Sequence, residues 1–105
     1  MAKFVYIFVG GAPSEDKRDE NMKDWGDWIA GLQDKKVYVS GLPFGWTKKI
    51  VAHDGSVTDN KTETSGYVVV EAESLDQAVE WAKTSPVGKY GGKTEVYDVL
   101  VMPGM

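Results

Sequence analysis

The only histidine of this 105-residue chain lies among carboxylates, in the segment KKIVAHDGSVTDN at residues 48–60. His53 is followed at once by Asp54, and Asp59 stands near the end of the segment. Imidazole changes its charge near neutral pH, and a positioned imidazole acts as a general base. These residue types allow proton-transfer chemistry, with His53 as the base and Asp59, or a carboxylate of a second subunit, as its partner.

The same segment also has an explanation that needs no chemistry. Asp54-Gly55 is a favoured pair for the type I′ turn of a two-residue hairpin, and strand-forming residues flank it at 48–52 and 57–59. In such a hairpin His53 flanks the turn while Asp54 lies within it, so their side chains diverge. Both interpretations stay open: an exposed imidazole beside a turn, or a base completed by Asp59 or a partner chain.

Aromatic residues offer a second kind of site, since they line pockets for planar ligands as well as filling cores. Trp25 and Trp28 have helical spacing and are expected in the core. Trp46 follows a segment broken by proline and glycine, where the core no longer needs a large side chain. We therefore predict that Trp46 lines a small-molecule cleft, together with Tyr67.

The segment GKYGGK at 88–93 combines glycine amides with lysines, a composition that suits anion binding. Its spacing differs from that of a phosphate-binding loop, and it follows a predicted helix instead of opening one. The sequence favours a connecting loop.

Charge and composition exclude several classes of protein. The net charge is −4, the pI is about 4.9, and the basic residues are scattered, which argues against nucleic acid as a partner. The chain has no cysteine and one histidine, which removes disulfides, thiolate nucleophiles and cysteine-based zinc sites. No cofactor is predicted, and a metal could only be held weakly, by carboxylates.

The longest apolar run of the N-terminal region, FVYIFV at 4–9, is far short of the roughly 20 residues that a membrane span needs. It is also shorter than the apolar part of a signal peptide. We expect a cytoplasmic protein with no membrane partner. The length and the 42% hydrophobic content predict one folded domain over residues 1–105.

Hydrophobic periodicity predicts four main strands and two helices. The strands are expected at 3–9, 36–41, 66–72 and 93–101, and the first helix at 19–33. That helix has a buried stripe of Trp25, Trp28, Ile29 and Leu32, extended by Met22.

The second helix is predicted to begin with a capping box, in which Ser74 accepts from the amide of Gln77 and the Gln77 side chain reaches back. Its buried stripe is Leu75, Ala78, Val79 and Ala82, and it ends before Pro86 and Gly88.

With the hairpin, this order predicts an α+β fold, a ferredoxin-like split βαβ sandwich with an extra β-hairpin. The strands at 3–9 and 66–72 have apolar residues on both faces, although only one face can meet the helices. We therefore predict a homodimer through the free sheet face. If Val70 faces the partner, Val70→Asp would break that dimer.

The segment at 66–101, GYVVVEAESLDQAVEWAKTSPVGKYGGKTEVYDVLV, resembles the C-terminal half of YCII-related proteins of the DGPF-like branch. WIAGLQDKKVYVSGL at 28–42 is similar to the helix, turn and second strand of that family. The resemblance implies a dimeric α/β barrel with a cleft for a small organic molecule. It implies much less about which reaction such a protein would catalyse.

A related branch uses a helix histidine with an aspartate for proton transfer, whereas the corresponding positions here, 24–27, contain no histidine. Of the Asp-Gly-Pro-Phe motif, only Asp59 is in place. We favour a ligand-binding homodimer in which catalysis is open. The alternatives are a proton-transfer enzyme of lyase or isomerase type and a protein-interaction module.

Overall fold

The computed structural model describes residues 1–100, 102 and 103 and has two layers. The strands are β1 Ala2–Val9, β2 Tyr38–Pro43, β3 Lys49–Val51, β4 Val57–Asp59, β5 Thr64–Ala72 and β6 Lys93–Asp98. The helices are α1 Arg18–Asp34 and α2 Leu75–Ala82, with short 3-10 turns at Glu15–Lys17 and Pro86–Tyr90. Neither α-helix of the described chain is long and apolar enough to cross a membrane.

Four strands form one antiparallel sheet in the order β2-β5-β1-β6, and β3 pairs with β4 in a separate hairpin. The two helices pack on one face of this sheet. The predicted ferredoxin-like α+β fold with an extra hairpin is confirmed. The last strand was expected to reach residue 101, which lies outside the described residues; in the structure the strand ends at Asp98.

The core lies between the sheet and the helices, because alternate side chains of a strand point to the same face. The buried strand residues are Phe4, Tyr6 and Phe8 of β1 and Val68, Val70 and Ala72 of β5. The Tyr6 hydroxyl donates to the carbonyl of Ala78 at 2.5 Å, which joins α2 to the centre of the sheet. Burial raises the pKa of Tyr6 to about 12.

An aromatic cluster attaches α1 to the sheet. Trp25 meets Phe8 edge-on at 4.7 Å between ring centroids, and Trp28 meets Trp25 in the same way at 5.7 Å. Met22 was expected to extend this stripe, but it is 67% exposed. Three residues along a helix correspond to a rotation of about 60° from Trp25, which puts Met22 at the edge of the stripe. Leu75, in the first turn of α2, is likewise 49% exposed.

The strand β2 begins two residues later than predicted. Lys36 has a φ of 61°, and the amide of Val37 donates to the carbonyl of Leu32 at 3.1 Å. These residues therefore end α1 instead of starting a strand, although Val37 remains buried. Pro43 is tolerated in β2 because this is an edge strand, where a missing amide donor breaks no central pairing.

The predicted capping box of α2 is confirmed. The amide of Gln77 donates to Ser74 Oγ at 3.1 Å. The Gln77 side chain accepts from the amide of Glu73 at 2.8 Å, one residue before the position that the motif predicts. Two amide groups at the start of the helix are thereby satisfied.

We expect Ser74→Ala to lower the free energy of unfolding by about 1 kcal/mol, because the Gln77 amide loses its acceptor. Urea denaturation followed by circular dichroism measures this change. Ser74→Asp is the matched control, since aspartate also caps helices and should preserve most of the stability. An unchanged midpoint for Ser74→Ala would contradict the role of the cap.

The second face of the sheet carries neither helix and is largely apolar, with Glu95 beside Ile7 and Ser40 beside Val69. Val5 lies opposite Val69, and Ile7 lies opposite Tyr67, in the pairing of β1 with β5. We call this surface the open face; it consists of Val5, Ile7, Leu42, Tyr67, Val69 and Tyr97. Leu42 is 63% exposed and Tyr97 is 49% exposed. Val70 points to the helices and is fully buried, so the condition under which Val70→Asp would break a dimer is not met.

Candidate functional site

The hairpin that carries His53 extends from the main sheet, and every residue of β3 and β4 is exposed. Its turn differs from the predicted two-residue loop. The amide of Ala52 donates to Ser56, and that of Gly55 donates to Ala52, which leaves three residues in the loop. A type I′ turn needs positive φ at both central residues, but only Gly55 has it here, at 87°.

The turn explains the role of the carboxylate next to His53. Asp54 Oδ1 accepts from the amide of Ser56 at 2.9 Å, and this hydrogen bond lowers the pKa of Asp54. The Asp54 carboxylate is therefore bonded to the backbone of the turn and not to the imidazole of His53.

His53 and Asp59 lie at opposite ends of the hairpin. His53 is in the turn, whereas Asp59 pairs with Lys49 across the two strands, with 2.6 Å between Nζ and Oδ1. Both side chains are exposed. A dyad of His53 with Asp59 is not assembled within one chain, and the catalytic role of both residues stays a prediction that requires a partner chain.

We expect His53→Ala to change the free energy of unfolding by less than about 0.5 kcal/mol, because an exposed turn residue has few contacts to lose. Thermal denaturation checks the stability, and the ligand affinity should also be unchanged. Gly55→Ala is the positive control, since alanine is strained at the positive φ of this residue. Loss of ligand affinity or of an activity in His53→Ala would make the imidazole part of the site.

The two predicted cleft residues are separate features of the surface. Trp46 is 96% exposed, so its ring is not enclosed by the described chain. Tyr67 lies on the open face, where its ring centroid is 6.1 Å from that of Phe44. Their role in ligand binding remains a prediction, and it would require further walls from a second chain.

Two grooves that the sequence analysis did not anticipate meet at Ser85, between α2 and β6. The first, here the α1 groove, has a volume of about 400 Å³. It is lined by Asp24, Asp27, Trp28, Thr84, Ser85, Pro86 and Lys89. The second, here the α2 groove, has a volume of about 230 Å³. It is lined by Val79, Ala82, Lys83, Ser85, Val87, Gly88, Gly92, Lys93, Thr94 and Val96.

Ion pairs dominate the α1 groove. Lys89 Nζ donates to Asp24 at 2.8 Å and to Glu20 at 3.2 Å, which ties the 3-10 turn to α1. Both bonds raise the pKa of Lys89, that to Asp24 most. An ammonium held in its charged form is neither a nucleophile nor a base. Lys89 therefore has a structural and electrostatic role in this arrangement.

The α2 groove is mainly aliphatic and contains one partly buried polar pair. Ser85 Oγ lies 3.1 Å from Thr94 Oγ1, and Ser85 is only 7% exposed. The loops behind this pair approach closely because they contain glycine. A Cβ on Gly92 would lie 2.6 Å from both the Gly11 amide nitrogen and Val87 Cγ2.

The family model of the YCII-related domain matches residues 2–103. The chain belongs to the YCII-related family. No curated protein matches the chain in a sequence comparison.

The fold of this YCII-related protein is similar to that of 5-chloro-2-hydroxyhydroquinone dehydrochlorinase (TftG) from Burkholderia phenoliruptrix AC1100, solved in complex with 2,5-dihydroxybenzoquinone. The TM-score is 0.58, the alignment covers 95% of each chain, and the sequence identity is 20%. At this sequence identity, the comparison shows a similar fold and nothing further.

By the resemblance described above, positions 24–27 of α1 are those at which a catalytic helix histidine was expected in the related branch. In this YCII-related protein Trp25 packs against Phe8, while Asp24 and Asp27 accept from Lys89 and Lys23. These side chains take part in packing and ion pairs. Positions 24–27 contain no histidine, so this part of the helix has no histidine-aspartate dyad.

Proposed function

We propose that this YCII-related protein is a homodimer in which each subunit binds one small organic molecule beside Ser85. The observation that carries binding is the α2 groove, where a partly buried hydroxyl pair lies among aliphatic side chains at the surface. Pockets of mainly apolar lining with a few placed polar groups are the usual form of small-molecule sites. The complex of the similar dehydrochlorinase with a quinone supports a ligand of this general kind.

The open face supports the homodimer. In a monomer Leu42 and Tyr97 would stay largely in water next to Val5 and Val69, although contiguous apolar surface of this kind usually marks an interface. A second copy provides an equally apolar, self-complementary surface. Obligate interfaces of this type commonly bury about 2,000 Å² or more.

The hairpin gives a second reason to expect a partner chain. Two strands alone are marginally stable in water, and β3 and β4 form a separate two-stranded sheet. The segment nevertheless exposes Trp46, Ile50, Val51 and Val57 by 44% or more. Burial of these side chains against a second subunit would stabilise the hairpin.

Binding is favoured over catalysis because the candidate acid–base groups are separated or already paired. His53 and Asp59 are far apart along the hairpin, and Lys89 is held as an ammonium by two carboxylates. The alternative is a proton-transfer enzyme in which the partner's carboxylate completes a site with His53. The His53→Ala variant separates the two functions.

A thermal-shift screen of small organic acids, amines and neutral compounds tests the proposal. A ligand at 100 times its Kd stabilises the folded state by about 2.7 kcal/mol, which corresponds to roughly 10 °C or more in Tm for a chain of this size. Light scattering in the same buffer measures the mass. A monomer at micromolar concentration, or a screen in which no class of compound raises the Tm, would contradict the proposal.

A further inference from the structure

We infer that the α2 groove is a binding site for a small organic anion, a carboxylate attached to an aliphatic or aromatic body. This inference rests on the proposed small-molecule function and specifies the groove and the class of ligand. Three independent features of the groove support it: an unused hydroxyl proton, the sign of the surrounding charges, and the aliphatic floor.

The hydroxyl pair leaves one hydrogen-bond donor without an acceptor. Ser85 and Thr94 each have one hydroxyl proton, and only one of the two can lie between their oxygens, which are 3.1 Å apart. Neither hydroxyl makes another hydrogen bond to the described residues. Both residues line the groove, so the remaining proton can be donated to an acceptor that binds there. A carboxylate, which only accepts, is suited to this position.

The charges of the lining favour an anion. Lys83 lies in the lining of the α2 groove, and no carboxylate among the described residues does. Lys83 Nζ donates to Glu80 at 2.7 Å, which raises the pKa of Lys83. Lys93 is paired with Val9, so its side chain points to the open face and not into the groove. The α1 groove has the opposite character, because Asp24 and Asp27 line it. An anion is therefore expected to prefer the α2 groove.

The glycine segment at 88–93 does not provide a cradle of free amides. The amide of Gly91 donates to Gly88 at 3.2 Å, and that of Gly92 donates to Val87 at 3.0 Å. These donors are used within the loop, so recognition of a ligand falls to the two hydroxyls and Lys83. This arrangement favours a carboxylate over a phosphate group, which is usually held by several backbone amides.

The aliphatic part of the lining selects for an organic ligand over an inorganic ion. Val79, Ala82, Val87 and Val96 provide apolar surface that a bare ion would leave in contact with water. A volume of about 230 Å³ is below the range of drug-sized pockets, about 300–1,000 Å³, which indicates a small ligand.

Titration of the ¹⁵N-labelled full chain with sodium benzoate or sodium isobutyrate, followed by amide NMR shifts at neutral pH, tests the inference. We expect saturable shifts at the amides of Ser85, Val87 and Thr94, with benzamide at least about tenfold weaker than benzoate. A hydrogen bond to a charged group is strong, so the double variant Ser85→Ala/Thr94→Val, which removes both hydroxyls, should weaken benzoate binding by about tenfold or more.

Lys83→Gln keeps the test valid if the double variant perturbs the fold, because Lys83 is exposed. We expect this variant to weaken benzoate binding severalfold. Lys61→Gln is the matched control, since Lys61 is an exposed lysine outside both grooves and its loss should leave the affinity unchanged.

Several outcomes would overturn the inference. They are equal binding of benzylamine at the same amides, equal binding of inorganic phosphate, shifts centred on Asp24 and Lys89, and no saturable shift with either acid. If the thermal-shift screen finds a ligand of another class while both acids fail, the inference falls and the proposed function stands. If no compound of any class binds, both fall.

Discussion

Val70→Asp is expected to prevent folding of this YCII-related protein. Val70 is fully buried on the helix side of β5, where it is paired with Phe4 and Tyr38 in the neighbouring strands. A carboxylate at this position would lose its hydration inside an apolar core, and the variant would also lose the packing of the valine. We expect a loss of more than about 4 kcal/mol, a large part of the roughly 5–15 kcal/mol that stabilises a typical domain.

Far-UV circular dichroism and amide NMR dispersion measure the expected loss of structure in Val70→Asp. Val70→Ala is the control for side-chain size, because it removes buried methyl groups without burying a charge. That variant should remain folded with a lower Tm. A cooperative, near-native transition of Val70→Asp would show that the strand has the opposite orientation.

The elements of this fold could be predicted from sequence because local patterns determine them. The spacing of Trp25, Trp28 and Leu32 identifies α1, and the residues Ser74 and Gln77 identify the start of α2. Each pattern involves neighbours along one chain segment, so it can be recognised without knowing how the rest of the chain folds.

Features that depend on tertiary packing could not be predicted in this way. Alternation shows that Val69 and Val70 point to opposite faces, but both are valine, so the sequence does not tell which face meets the helices. The turn at Gly55 was predicted as two residues because Asp-Gly fits that type. In the structure Asp54 bonds to the Ser56 amide, and the loop has three residues.

The residues of the candidate site also depend on tertiary packing, and they were harder still to predict from the sequence. His53 drew attention because of its chemistry, yet it lies in an exposed turn. Ser85 and Thr94 have common side chains with no motif, and the 3-10 turn between them brings the two hydroxyls together. The only sequence signal nearby was the glycine segment at 88–93, whose glycines allow the close loop approach that shapes the groove.

Val69→Asp is expected to give a folded monomer, in contrast to the same substitution one residue later. Val69 lies on the open face next to Val5, and in a two-fold dimer the substitution introduces two carboxylates into one interface. Like charges brought together in an interface cost several kcal/mol, so we expect the dimer affinity to fall by about a thousandfold or more. Light scattering should then give the mass of one 11.6 kDa chain at micromolar concentration.

Two further variants test whether the dimer forms through the open face of the sheet. Met22→Asp places the same charge on an exposed apolar residue of α1, on the helix side, and should leave the dimer intact. Tyr97→Lys changes a half-exposed residue of the open face on the edge strand β6, where the fold tolerates a charge, and should also weaken the dimer. If Val69→Asp and Tyr97→Lys keep the mass of two chains, the subunits do not associate through the open face. If Met22→Asp alone dissociates them, the interface lies on the helices.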